Sequence, residues 1–514
     1  MFRLITAAIG LWALVLSLNA GAAGKVVALG SDDARYLLNR TGFGAPPREV
    51  AEFARLTREQ AVERLLSARR TEPLKAPPMA DFVAPRRVKN APEDEKKMLI
   101  REEAQKVVGL RAWWLQEMVS APTPADALRE RMTLFWHNHF VSSQPKVKSA
   151  SLLLQQNLLL RRHALGNFAD LLHAVSKDPA MIIYLDSATN RKGSPNENFA
   201  REVMELFTLG EGHYSEQDIK EAARAFTGWS VEPDSGEFKW RAPAHDSGMK
   251  RVLGFEGDFD GDAVLDILLR QPATAEFITA KLWREFVSPQ PQGSELREML
   301  RIAAGFRDSG YETKTALRML LLSPAFWAPE NRATLVKSPA DLVVGSVRTL
   351  EIRMADALPL AFTMRNLGQD LFSPPNVKGW PGGEAWINSN TLLARKSFIE
   401  RLLRSEEFIE PVRRADGVDM RYEDAPMQSR RRVQQLREEF GKGAAALEGD
   451  TRMRMVQALM DIRFDAARWL AQFADRQAVV AALLPLPPGT VPSADLQGVA
   501  LVRALVLDPA YQLK

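Results

Sequence analysis

Along most of the chain apolar residues recur three and four positions apart, the spacing of one face of a helix, and few segments alternate as a half-buried strand does. This pattern predicts helices over residues 33–39, 50–68 and 95–119, and one through 135–140 that starts near Asp126 as its cap. Further helices are expected over 150–160, 167–176, 198–209, 215–227, 262–269, 273–287, 294–309, 314–322 and 340–350. Strand signals are confined to 238–241 and 251–254, beside turn-rich sequence, so any sheet is a small hairpin. The expected fold class is mainly α: a large multi-helix globular array with at most a small β-hairpin.

One device recurs at irregular spacing. Asp178-Pro179, Ser323-Pro324 and Asp508-Pro509 each follow a leucine-containing run. The side-chain oxygen suits a helix cap and proline suits the first helical position, so each is read as a corner between helices and not as a repeat module. Residues 72–94, rich in proline and charge, read as a linker, whereas 413–449 is highly charged and 466–488 is apolar again. The organisation expected is a signal peptide over 1–23, an N-terminal helical region over 24–120, a central helical domain over 121–405 and a C-terminal helical subdomain over 406–514. The last helix, 495–507, should pack back on the body.

The first residues change the picture of where the chain works. Arg3 precedes an apolar run from Leu4 to Leu18, followed by Ala20-Gly21-Ala22. That run is shorter than the roughly 20 residues of a spanning helix, and the small-residue ending suits signal cleavage near Ala22 or Ala23. A periplasmic or secreted protein follows, with no stable membrane anchor after cleavage. Cysteine is absent from the 514 residues, which excludes disulfides, thiolate metal sites and a cysteine nucleophile. The formal charge of +4 is small for this length, and the densest basic run, Arg430-Arg431-Arg432, is interleaved with acids, so no nucleic-acid partner is expected.

Candidate chemistry is confined to the middle of the chain. All six histidines lie between His137 and His245. In Phe135-Trp136-His137-Asn138-His139-Phe140 the two imidazoles are about 200° apart on a regular helix, so they face opposite sides and cannot share one ion there. One is expected in the core and the other at a polar cavity. The second candidate is residues 196–214, where Asn198, Glu202 and Glu205 share a stripe beside Arg201, and Phe199, Val203, Leu206 and Phe207 lie opposite. Two carboxylates one turn apart suit a hard cation or a proton carrier, and the helix should stop at Leu209-Gly210.

Other patterns weigh less. His245-Asp246-Ser247 has the residue types of a nucleophilic triad, but adjacent residues rarely form one. The acidic residues 258–262 lack the closing glutamate of a calcium loop and read as a helix cap. The proline- and glycine-rich loop 372–383 presents Asn376, Lys378 and Trp380, either for recognition or with the tryptophan as a buried anchor.

Taken together, the FWHNHF segment, YLDSATN, NENFAREVMELFTLGEGHY, HDSGMK, LVKSPADLVVGSVRTL and PPNVKGWPGGEAWINSN resemble the bacterial domain of unknown function 1800 family, from about Asp33 to the C-terminus. The resemblance implies an exported, mainly helical protein and a frequent genomic neighbour, an exported sulfatase-like protein. It carries over no catalytic residue. Many relatives have histidine where this chain has Phe207, so if that position ligates a metal in relatives, this chain lacks one ligand.

The leading expectation is an exported envelope enzyme, a metal-assisted hydrolase. Glu202, Glu205 and His137 are the candidate catalytic groups, and Asn198, Arg201, Asn376, Lys378 and Trp380 the candidate substrate-binding residues. His139 and His213 are candidate ligands for a divalent metal. The competing expectation is a non-catalytic binding or scaffold partner of the sulfatase-like protein.

Overall fold

In the computed structural model, which describes residues 27–78, 80–413 and 449–514, the chain is a mainly helical array with two small two-stranded antiparallel sheets. Residues 1–23, expected as a signal peptide, and Arg430–Arg432 lie outside the described residues. No helix among the described residues is long and apolar enough to cross a membrane.

Local chemistry explains where the helices begin. Asp178, Ser323 and Asp508 cap through their side-chain oxygens, accepting from the backbone N–H of Met181, Phe326 and Ala510, with proline next in line at each corner. The apolar stretch 50–68 is two helices, Pro47–Phe53 and Arg58–Leu66, because Thr57 and Gln60 form a reciprocal capping box that starts the second. The helix carrying the histidines, Pro124–His139, is capped by Thr123, not Asp126. The Asp126 N–H instead donates to the Thr123 hydroxyl. The linker holds one short helix, Pro85–Asn90, which its proline and charge concealed. Phe238–Trp240 pairs with Trp229–Val231, and Lys250–Val252 with Phe255–Gly257.

Two apolar clusters meet across the helix Pro124–His139, and nearly all of this helix is buried. Leu128, Met132, Trp136 and Phe140 belong to one cluster, with Phe168, Leu282 and Phe306. Leu134 belongs to the other, with Trp114, Val343, Phe372 and Trp380. The helix Gly498–Val506 adds Val502, Leu505 and Val506 to this second cluster, packing back on the body. Each large apolar side chain so buried contributes roughly 1.5–3 kcal/mol.

A helix buried on all sides must neutralise its own charges. Arg131 pairs with Glu285 at 2.6 Å and with Asp341, which Lys514 also contacts at 2.8 Å. Glu130 accepts from Arg161, Arg129 and the Trp114 indole. Because each of these charges has an opposite partner, the helix can sit between two apolar masses.

Candidate functional site

The histidine helix sends its two imidazoles into different interiors. His137 is 1% exposed, and its ring lies 5.2 Å from Trp114, 5.5 Å from Phe372 and 5.8 Å from Trp380. Its Nε2 accepts from the Phe372 N–H at 3.2 Å, while Nδ1 is buried without a partner. Burial pushes its pKa down to about 3, so the ring is neutral and held in an aromatic box.

His139 is 3% exposed and bonded at both nitrogens. Nε2 donates to the Phe207 carbonyl at 3.1 Å, and Nδ1 accepts from the Lys281 ammonium at 2.9 Å. Lys281 also donates to the Leu206 carbonyl at 3.1 Å. Desolvation, then the neighbouring Lys281, holds the His139 pKa well below its ordinary value, and desolvation followed by Arg284 brings Lys281 down to about 7.

The carbonyls of Leu206 and Phe207 can take these bonds because they lie in the last turn of a helix and have no intrahelical partner. Asn198–Glu202 is α-helical and Val203–Thr208 continues as a π-helix, in which the Leu209 N–H reaches back to the Met204 carbonyl. Gly210, at φ +81°, then turns the chain as expected, and a Cβ there would meet the Phe277 ring at 3.0 Å. Lysine and histidine from two other elements thus satisfy the last-turn acceptors. Lys281 was missed in the sequence. Its signal was a cation one turn after Phe277 and Ile278, on a helix whose buried face includes Ile278, Leu282 and Phe286.

The carboxylates lie on the outward side of this helix, whose inward residues are Val203, Met204, Phe207 and Thr208. Half-buried Glu202 has its pKa raised by desolvation first and by Glu205 second, with Arg201 and Lys378 opposing. Glu205 accepts from the Tyr214 hydroxyl at 2.7 Å. The Tyr184 phenol is raised by burial and then by Glu202, and the Lys146 ammonium lies 5.6 Å from its ring centre. Lys146 pairs with Asp186 at 2.8 Å, and Lys378 pairs with Glu211 at 3.3 Å. Asn198 donates to Asp186 at 3.3 Å and makes no hydrogen bond to the two glutamates whose stripe it shares. Four carboxylates and two lysines therefore make a net acidic face. Three non-glycine residues with left-handed backbones, Lys148, Asp186 and Phe372, lie on the segments that border it, the kind of strain that collects at working sites.

Several expected roles change. Arg201 is committed to Glu216, at 2.8 Å through both nitrogens, and to Glu197 at 3.3 Å. Trp380 is 5% exposed and anchors its loop, leaving Asn376 and Lys378 exposed. Asn138, between the histidines, accepts from the Trp380 N–H at 2.7 Å, and the Asn376 side chain accepts from the Lys378 N–H at 2.9 Å. His213 is exposed in the turn after Gly210, whereas both nitrogens of buried His139 are engaged, so the two are not a ligand pair. Among the described residues no three His, Asp or Glu side chains gather in a group able to hold a metal ion. Neither imidazole opens to the surface, as one was expected to at a polar cavity: both histidines lie within the core, and neither is hydrogen-bonded to Glu202 or Glu205.

The triad types also go separate ways. Asp246 pairs with Arg224 at 2.8 Å, and His245 Nδ1 lies 2.9 Å from the Thr227 carbonyl. Asp260 caps its helix through the Ala263 N–H, as the acidic loop suggested.

Fold and site together define a mainly helical protein with a buried histidine–lysine pair behind a π-helix and an acidic face in front of it. The chain belongs to the family described as protein of unknown function (DUF1800), which matches residues 36–513. No curated protein and no solved structure matches it. Phe207 is 1% exposed with its ring 5.9 Å from that of His139, so a histidine in its place would adjoin the His139–Lys281 pair.

Proposed function

We propose that the chain is an exported envelope hydrolase in which Glu202 and Glu205 move the proton. The observation that carries this reading is the pair of carboxylates at the α-to-π junction, Glu202 ending the α-helical turn and Glu205 in the π-helix that continues it. Glu202 is held toward its protonated form by burial and its neighbour, and Glu205 is held in place by Tyr214. Lys378 and Asn376, exposed on a loop anchored by Trp380, are positioned to hold a substrate against them. A metal-assisted version finds too few ligands among the described residues, so the reading rests on proton transfer by the carboxyl groups alone.

The test is a panel of chromogenic esters, glycosides and peptides given to the mature protein between pH 5 and 7. Glu202→Gln should lower turnover by about 100-fold or more, the scale of a lost general acid or base, without changing the melting temperature. Full activity in that variant would overturn the assignment, as would a carboxyl NMR titration in which Glu202 behaves as an exposed glutamate. Export is checked by the intact mass of protein recovered from the periplasm or medium, which should lack the leader through Ala22 or Ala23.

A second reading draws on the same exposed loop. Asn376 and Lys378 suit a docking contact, and the partner would be the exported sulfatase-like protein. Co-purification that is lost in Lys378→Glu, with no turnover on the panel, would favour it.

A further inference from the structure

A cleft of about 840 Å³ lies away from His137 and His139, between the segment that leads into the glutamate helix and the first hairpin, where the His245 ring packs 4.8 Å from that of Trp240. Its floor is built by backbone bonding. The Gly228 N–H donates to the Asn190 carbonyl at 3.2 Å, the Arg241 N–H to the Gly228 carbonyl at 2.9 Å, and the Lys192 N–H to the Ala244 carbonyl at 2.7 Å. Gly228 is required there: its φ is +90°, and a Cβ would meet the Arg241 carbonyl oxygen at 2.9 Å. Asn190, 3% exposed, ties the floor inward by donating to the Ala223 carbonyl and accepting from the Asn196 N–H.

Two kinds of side chain line this cleft. Arg191 and Arg241 make no ion pair within 4 Å among the described residues. Glu232, the acid that feels the charge of Arg241, is committed to Lys239, and the one carboxylate in the lining, Glu197, is neutralised by Arg201 at 3.3 Å. The other polar positions are hydroxyls and amides: Thr189, Asn190, Ser194, Asn196 and Ser230. Beside the Gly228 floor, Trp240 is 42% exposed, a large aromatic surface next to an unpaired guanidinium.

Unpaired guanidiniums match planar carboxylates, hydroxyls and amides match sugar hydroxyls, and an exposed indole offers a face to the apolar side of a pyranose ring. We propose that this cleft binds an acidic saccharide, a hydroxyl-rich chain bearing carboxylates, with Arg191 and Arg241 as the anion contacts and Trp240 as the platform. The ligand class is that of uronate-containing envelope or extracellular polysaccharides. This site is separate from the Glu202 face and does not depend on its chemistry.

The experiment is titration calorimetry of the mature protein with a galacturonic acid trimer, with maltotriose as the neutral counterpart and inorganic phosphate as the bare anion. The acidic trimer is expected to bind at least tenfold more tightly than either. The double variant Arg191→Ala/Arg241→Ala, both exposed positions, should weaken it by roughly tenfold or more, the factor for one lost charge-assisted hydrogen bond, at unchanged melting temperature. Trp240→Ala keeps both charges and should weaken the trimer while leaving phosphate unchanged. Equal binding of the two trimers, phosphate binding as tightly as the acidic trimer, unchanged affinity in the double variant, or no binding at all would each overturn the proposal.

Discussion

His137 and His139 are two residues apart on one helix and live in opposite surroundings. His137 is a neutral peg in an aromatic box, with one nitrogen bonded to a backbone N–H and the other to nothing. His139 bridges a backbone carbonyl and an ammonium, both nitrogens occupied. The contrast teaches that an imidazole's role is set by what its two nitrogens meet. The helical turn decides which neighbour that is.

The largest effect should come from breaking the bonded side. His139→Ala leaves a cavity, an unpaired Phe207 carbonyl and a Lys281 ammonium held only by the Leu206 carbonyl, and should cost about 3–5 kcal/mol in urea unfolding. His137→Ala removes one acceptor and no partner of a cation, and should cost less. Equal losses would erase the distinction.

Titration probes both sides next, since each histidine is buried neutral and the His139 side also holds Lys281. The folded pKa of His137 lies at about 3, below its unfolded value near 6.5, so the unfolded chain takes up the proton first as pH falls. Stability should therefore fall from pH 6.5 toward 3, by up to about 1.4 kcal/mol per pH unit from this group. His137→Leu should flatten that slope by one proton. Lys281 works in the alkaline window: with its folded pKa near 7 and its unfolded pKa near 10.5, stability should rise as pH climbs between them, a rise absent in Lys281→Met.

Smaller effects belong to the loop that leans on this helix. Gly379→Ala places a Cβ 2.3 Å from the Asn138 Oδ1 at a backbone φ of +80°, and should cost about 1–3 kcal/mol. Lys378→Ala removes an exposed ion pair to Glu211 and should stay within about 0.5 kcal/mol in melting measurements. A large loss there would mean that the loop is held by its charge and not by Trp380.

Much of the fold was legible because its determinants are local. The helical spacing, the Asp-Pro and Ser-Pro corners and the stop at Gly210 each act within a few residues. The strand Trp229–Val231 was not anticipated, since pairing with Phe238–Trp240 is what makes it one. The opposite facing of the two histidines was readable from 100° per residue, whereas the burial of both was not. That burial depends on Trp114, Phe372 and Lys281, which arrive from distant parts of the chain. The carboxylate stripe was visible, but Arg201 turned to Glu216 and Asn198 to Asp186, because partners from other elements outcompeted neighbours on the stripe.

Asn138 couples the two halves of this contrast in a mechanical sense. Its side chain grips the Trp380 backbone at 2.7 Å while the residues on either side are keyed into separate interiors. A twist of the central helix would drag the proline–glycine loop with it, and Lys378 would swing at the end of that lever. Torque applied at the core would thus be felt as a displaced positive charge over Glu202.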